Sequence, residues 1–593
     1  MFMNKLVSAI LSLIVLSVSS CSIDWMDESE HPMPPEVGGI PLIDFDGETS
    51  MEVAYSGGTF EFGFTANLPW TIESSSSWIT IEGDTRGQGS SELIKVSFSV
   101  PKNTGMDSRQ GSVKVRITDD AESTITIIQS GTPIEELGHK WYVKAEATGD
   151  GTSWSDATTL SNALMNASDN DKIHVAAGVH YPTALIAGGS KDSDKTFFVA
   201  ANVSLIGGYP ADATEESQPD PVVNKTVLSG AIDGGPAYHV MVIAAPKNDI
   251  FSVKISGFTI TGGVTFTTAQ TLKINGADIH RSYGGGIVVG NSNAEISDCV
   301  ITGNESPKYC AGIYNADGSV THLRNVVVDN NTGGNGAAIY NANAELRLSD
   351  CVIKNNVAEG VGCGLYNYGS TKKNIETVAY VYNTAFLANR TDGTKDSRRG
   401  GGFYGREGSK TVMVNCTVDG CFGGNGGGLA LYGTAAAPSF LTLVSCTVTN
   451  NESSFVGGGV EAGDYTTLKL YNTIMSGNKA AIAGDNVVIT SKNAPTDSRP
   501  SVIASCVDGS DIYDKDGKLI AGARFDYETM FLALKDGVRA LAGENNPARQ
   551  YGMSVGELKG IVTGMNPEVN PEILSVDQKG NDRSGNTMGA FVE

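Results

Sequence analysis

Two hydrophobic patterns divide this chain. From Ile40 to Gly131, apolar and polar residues trade places at every second position, as in Thr59-Phe60-Glu61-Phe62-Gly63-Phe64, Ile94–Val100, Ser112–Ile117 and Thr124–Ile128. A period of two sends successive side chains to opposite faces, so these runs predict half-buried strands, and several of them separated by turn residues predict a β-sandwich. From Gly284 to Asn478 a longer unit recurs seven times. Its second half reads DCVITGN to Asn304, NVVVDNN to Asn331, DCVIKNN to Asn356, NTAFLAN to Asn389, NCTVDGC to Cys421, SCTVTNN to Asn451 and NTIMSGN to Asn478. These units end 27, 25, 33, 32, 30 and 27 residues apart, a spacing that with short β-branched runs and Gly/Asn corners predicts a solenoid of β-coils.

Aligning the unit ends turns the repeat into columns. Ile301, Val328, Ile353, Phe386, Val418, Val448 and Met475 fall in one apolar column, expected to face inward. Cys299, Val326, Cys351, Thr384, Cys416, Cys446 and Thr473 form a second. Asp298, Asn325, Asp350, Asn383, Asn415, Ser445 and Asn472 form a polar column placed for a turn. The closing asparagines, Asn304 to Asn478, are placed for an amide ladder between coils and for left-handed backbone. Glycines at 285, 286, 402, 427, 428, 458 and 459 suit the corners. At about 4.8 Å per coil, the seven units extend roughly 34 Å.

The flanks read as closures. Ser155 or Asp156 is placed to cap a helix running to about Ala167, with Ala157, Leu160, Leu164 and Ala167 on one side, which would seal the open first coil. Residues 264–283 read as an insertion. Beyond Asn478, Ser501–Cys506 predicts another coil strand and Tyr527–Leu541 a helix. The fold class is therefore all-β, a sandwich at 40–132 followed by a parallel β-helix at 141–593, with regular coils at 284–478 and a C-terminal capping region at 479–593.

Composition narrows the function. The 42 Lys and Arg against 66 Asp and Glu give a net charge of −24 over 593 residues, which argues against nucleic-acid phosphates and anionic lipid faces as partners. Residues 1–20 have the Lys5 n-region and the Leu6–Val18 apolar run of a signal peptide. Residues 21–39, with Pro32, Pro34, Pro35, Gly38 and Gly39, read as a tether. Apart from Cys21, eight cysteines remain: Cys299, Cys310, Cys351, Cys363, Cys416, Cys421, Cys446 and Cys506. Cys299 and Cys351 lie two coils apart, beyond disulfide reach, while Cys416 and Cys446 lie on adjacent coils; buried thiols are the favoured reading. No CxxC pair or Cys/His cluster has metal-ligand spacing, so no zinc site is expected.

Several resemblances add to this reading. Val18-Ser19-Ser20-Cys21 resembles a bacterial lipobox, which implies lipidation at Cys21 and an outer-membrane anchor; Asp24, Asp27, Glu28 and Glu30 after it resemble a surface-export signal, and a monomer is expected. Gly57-Gly58, Asn67 before Trp70, Trp78-Ile79, Asn103, Arg109-Gln110-Gly111 and Gln129-Ser130-Gly131 resemble a BACON domain. That implies a carbohydrate-binding module in which Trp70 and Trp78 would stack on sugars if exposed, although their apolar strand context favours core packing. Trp141–Leu164 followed by Lys172–Thr183, together with the terminal Met588–Glu593, resembles adhesin-like right-handed parallel β-helices of the pectin-lyase-like fold.

That fold implies two functions. The first is non-catalytic binding of polysaccharide, surface glycoprotein or host and matrix components, without a cofactor. The alternative is a polysaccharide lyase or glycoside hydrolase, which needs a Lys or Arg base with calcium-holding carboxylates, or a pair of acids. The candidate groups in the interruptions of the repeat are His280-Arg281, Arg398-Arg399 and Arg406-Glu407, with Asp392 and Asp396 nearby. Solvated loop charges are the simpler reading of each.

Overall fold

A computed structural model describes residues 40–593 apart from 119–120, 134–135, 251, 268–269, 371–374, 491–500, 504, 508–510, 514–515, 566–569, 584 and 592–593. The expected signal peptide and tether, with Cys21, therefore lie outside the described residues. The chain divides into two compact units, Met1–Pro133 and Ile134–Glu593.

The first unit is a sandwich. Ile43–Phe45, Gly58–Ala66, Ser90–Val100 and Thr80–Glu82 form one sheet; Ser50–Val53, Ala121–Gln129, Arg109–Thr118, Trp70–Ser74 and Arg86–Gly87 form the other. Phe64, Phe98, Val113, Val115 and Ile127, the apolar members of the alternating runs, are buried between them. The closing Gln-Ser-Gly has a packing reason. Gln129 is fully buried, and its amide donates to the carbonyls of Ala54, Tyr55 and Pro101 while accepting from Arg109 Nε at 2.8 Å. At Gly131 a Cβ would lie 1.9 Å from Met106 O.

The second unit is a parallel β-helix. Among the described residues its coils build sheets of twelve, thirteen and ten strands, with a short seven-stranded strip between corners. The predicted inward column is in register from Ile301 through Val328, Ile353, Phe386, Val418 and Val448 to Met475, and each member is at most 1% exposed. All seven members of the predicted turn column have positive φ, between 48° and 57°. Short polar side chains tolerate that geometry best, which explains why Asp, Asn and Ser fill the column.

The amide ladder is present. Asn304 donates to Asn331, Asn331 to Asn356 and Asn356 to Asn389 at 2.9–3.1 Å, and Asn451 to Asn478 at 2.9 Å. Cys421 interrupts it, taking the Asn451 oxygen through its backbone N–H. The left-handed backbone lies one residue earlier than expected, at Gly303, Asn330, Asn355, Ala388, Gly420, Asn450 and Gly477. The closing side chain must turn inward to meet its neighbours, and the preceding residue absorbs the bend. A second ladder, Asn315 to Asn341 to Asn367, runs along another corner at 2.8 Å per step.

Two helix boundaries differ from expectation. Helix α1 spans Leu160–Asn166 and is capped by Thr159, because Thr158 is drawn into β-pairing with Tyr142 and Val143. Its Leu160, Ala163 and Leu164 join the solenoid core at the first coil, as a cap should. Helix α2 covers only Tyr527–Met530; Asp536 and Gly537, both at positive φ, turn the rest of the segment into a hairpin with Phe531 opposite Leu541. Coil strands continue to Cys506–Val507, and Asp511–Tyr513 with Leu519–Arg524 extend the thirteen-stranded sheet antiparallel. A further helix, α3 (Val555–Met565), was not predicted. It lays Leu558 and Val562 on Val414 and Val444 of the twelve-stranded sheet.

Candidate functional site

The outer face of the twelve-stranded sheet carries a trough of about 510 Å³. Its floor follows from alternation within successive strands. Leu205, Ile255, Ile296, Leu323 and Leu348 point inward and are at most 1% exposed, so the residues on either side of them point out. One outward column reads Ser204, Lys254, Glu295, His322, Arg347; its neighbour reads Ile206, Ser256, Ser297, Arg324, Ser349. Lys254, Glu295 and Arg324 are exposed and form no ion pair among the described residues. His322 is half-buried between them, and Arg347 is held by Glu345 at 2.6 Å. The volume falls within the range of small-ligand sites, and the walls supply hydroxyls, cations and one carboxylate.

Aromatic and apolar packing bounds the trough. Ile206, at one end, packs against Tyr142, Trp154, Tyr209 and Ala213. At the other, Tyr382 continues the outward column beyond Ser349 and packs with Leu558 and Val562 of α3.

None of the trough residues stood out in the sequence, because attention fell on interruptions of the repeat. The available signal was the polar letters flanking a single inward apolar residue in Lys254-Ile255-Ser256, Glu295-Ile296-Ser297 and His322-Leu323-Arg324.

The residues singled out from the sequence gather on a different face, the ten-stranded sheet. Arg281 clasps Asp194 with two hydrogen bonds of 2.7 Å, and both side chains are nearly inaccessible. Burial pushes the Asp194 carboxyl up, but the Ser190 amide and the Arg281 guanidinium outweigh it and hold it below the usual carboxylate range. His280 Nδ1 lies 2.7 Å from Thr271 Oγ1. Arg398 lies 3.5 Å from Asp392. Arg399 bonds to Glu461, a fully buried carboxylate that also receives Asn425 and Thr490. Arg406 pairs with Glu407 at 2.7 Å and lies over the Tyr368 ring.

Between the His280-Arg281 pair and the Arg399/Arg406 group runs an in-register row of buried tyrosines, Tyr314, Tyr340, Tyr366 and Tyr404, with ring centroids 4.6–5.5 Å apart. Burial pushes the Tyr404 hydroxyl up to about 12, so the row is neutral. These cations are partnered by carboxylates and rings along a packed face. Among the described residues, no group of three or more His, Cys, Asp or Glu is arranged to hold a metal ion.

In the sandwich, Trp70 is 6% exposed, stands edge-on to Phe64 at 5.3 Å and donates Nε1–H to Gln88 O, which is the core role expected of it. Trp78 is half-buried with the Arg109 guanidinium 4.4 Å over its ring. Cys416 and Cys446, like the other six described cysteines, are buried free thiols.

Against known families, residues 68–130 match the BACON model, described as a putative binding domain, N-terminal. Residues 68–130 form a BACON domain. Residues 231–380 match the right-handed β-helix region model, which gives the coils beyond the BACON domain their hand. Among solved structures, pectate lyase Pel9A aligns with 61% of this chain and 83% of its own, at 11% identity and a TM-score of 0.34. A Bacteroides ovatus GH5 xyloglucanase in complex with a XXXG heptasaccharide aligns with 23% of this chain at 18% identity and a TM-score of 0.14. The match spans 37% of that enzyme's length. No curated protein matches the chain.

Proposed function

We propose that this protein is a surface-anchored glycan-binding lipoprotein whose β-helix trough holds an anionic polysaccharide. One observation carries the reading: on a chain of net charge −24, Lys254 and Arg324 stand exposed and, among the described residues, without an ion pair in a trough lined by serines. Elsewhere on the β-helix, Arg281, Arg399 and Arg406 are consumed by carboxylates. Unpaired cations beside hydroxyls suit a carboxylated sugar, which supplies one negative group and several hydroxyls per residue. The columns advance one coil per roughly 4.8 Å, comparable to one pyranose in an extended chain. The BACON domain accompanies the binder, and the lipid at Cys21 anchors it. No described helix is long and apolar enough to cross a membrane.

The test is calorimetry with uronate-rich and neutral polysaccharides. Binding of the uronate-rich set alone, weakening with salt, supports the reading; equal binding of neutral glycans overturns it. The membrane anchor is tested by lipid labelling, which Cys21→Ser abolishes.

The same grouping favours a second reading, eliminative cleavage of a uronate polymer, in which Lys254 as its neutral amine takes the C5 proton while the C4–O bond to the next sugar breaks, the C4=C5 double bond forms and the leaving oxygen takes a proton from solvent. Its test is the release of unsaturated ends during the same incubations.

A further inference from the structure

We propose that the trough is walled at both ends of its Ile206–Ser349 column and therefore selects a short stretch of anionic glycan at a chain terminus. This deepens the preceding reading and rests on it. The trough is lined from five consecutive strands, beginning at Ser204 and Ile206 and stopping at Ser349. Five strands place the first and last columns roughly 19 Å apart, the length of a tetrasaccharide or pentasaccharide.

Along the Ile206–Ser349 column neither end opens onto a continuing groove, while the neighbouring column runs on from Ser204 to Lys172 and Lys140. At the first coil, Ile206 is met by Tyr209, Trp154 and Ala213, and the Tyr142 hydroxyl donates to Glu215 at 2.8 Å, tying the 209–215 segment across the face. At the last, Tyr382 meets α3, which is itself fixed to the coils. Leu558, Val562 and Leu574 are buried, and the Asn415 amide donates to Ile573 O and Val576 O at 2.9 and 3.0 Å. Both walls are therefore packed parts of the unit. A polymer lying along the Ile206–Ser349 column must end, or leave the face, at each wall.

The trough is also asymmetric. Lys254 lies toward the Ile206 wall, and Arg324 with His322 toward the α3 wall, with Glu295 between. Sugar carboxylates gain from the two cationic ends, and the middle residue meets an acceptor better suited to hydroxyl donors.

The experiment is calorimetry of the full-length protein with oligogalacturonate and oligomannuronate ladders from disaccharide to decasaccharide, followed by long polymers. Affinity is expected to rise at least 10-fold between the disaccharide and the tetramer or pentamer, then to stay within 2-fold to the decamer. Protein bound per polymer chain should not grow with polymer length. Ser349→Trp, which fills the trough beside the α3 wall, should move the plateau to shorter oligomers. Affinity that keeps climbing to the decamer, or protein bound in proportion to polymer length, overturns the closed trough while leaving glycan binding intact. A plateau unmoved by Ser349→Trp also overturns it. No binding to any member of either ladder overturns this inference and the function beneath it.

Discussion

The ten-stranded and twelve-stranded faces of this β-helix use the same coils for opposite ends. On the first, the outward column holds Tyr314, Tyr340, Tyr366 and Tyr404, stacked and buried, and its arginines are matched to Asp194, Glu461 and Glu407. On the second, outward positions hold Lys254, Glu295 and Arg324, exposed and, among the described residues, without an ion pair. A solenoid needs only its inward columns to propagate, so the outward ones are free to diverge. One face has become a second core; the other stays wet. A charged residue in an interrupted repeat is thus no guide to chemistry until its partners are known.

Breaking the shared interior should damage both faces at once. Ile353→Asp places a charge in a column with no exposure and is expected to cost more than about 4 kcal/mol, read as a drop in urea midpoint. Next in size, Tyr340→Ala removes a ring packed between Tyr314 and Tyr366 and should cost about 3–4 kcal/mol, with glycan affinity unchanged. Arg281→Met leaves Asp194 buried without its partner, and a loss of about 3 kcal/mol is expected.

The wet face predicts the reverse pattern. Lys254→Ala with Arg324→Ala should alter stability by no more than about 0.5 kcal/mol, since neither side chain is buried or paired. Uronate affinity should fall at least 10-fold on the same variant, measured by calorimetry.

A final measurement concerns pH. His239 is buried, with Nδ1 2.9 Å from Gly284 O and no partner at Nε2 among the described residues, and burial pulls its pKa down from 6.5 to about 4. Between these values the unfolded chain holds a proton that the folded protein refuses. Stability is therefore full above about pH 6.5 and declines as the pH falls toward 4. His239→Gln should make that slope shallower, with His174 and His180, also lowered by burial, supplying the remainder, as followed by urea denaturation at each pH.

Much of the scaffold was legible in the residues themselves. The inward column, the positive-φ column and the asparagine ladder all follow from constraints met within one coil and repeated in the next: a dry interior, a left-handed corner, an unpaired amide. The BACON landmarks are of the same kind, since Gln129 and Gly131 answer to neighbours fixed by the strands around them. The second helix failed at the local Asp536-Gly537 turn, and the first boundary failed where a more distant partner intervened. Thr158 has ordinary helix-start chemistry, and only Tyr142, drawn alongside, turns it into a strand residue.

The candidate site shows the sharper division. The sequence determined that Lys254, Glu295, His322 and Arg324 face outward, because alternation around an apolar residue decides that locally. Whether an outward cation is spent or available depends on groups far along the chain: Asp194 is 87 residues from Arg281, and Glu461 is 62 from Arg399. The walls of the trough likewise come from Trp154 and Tyr209 before it and from α3 long after it. Coil-to-coil stacking is a local code, and charge pairing and enclosure are not; only the tertiary structure brings their partners together.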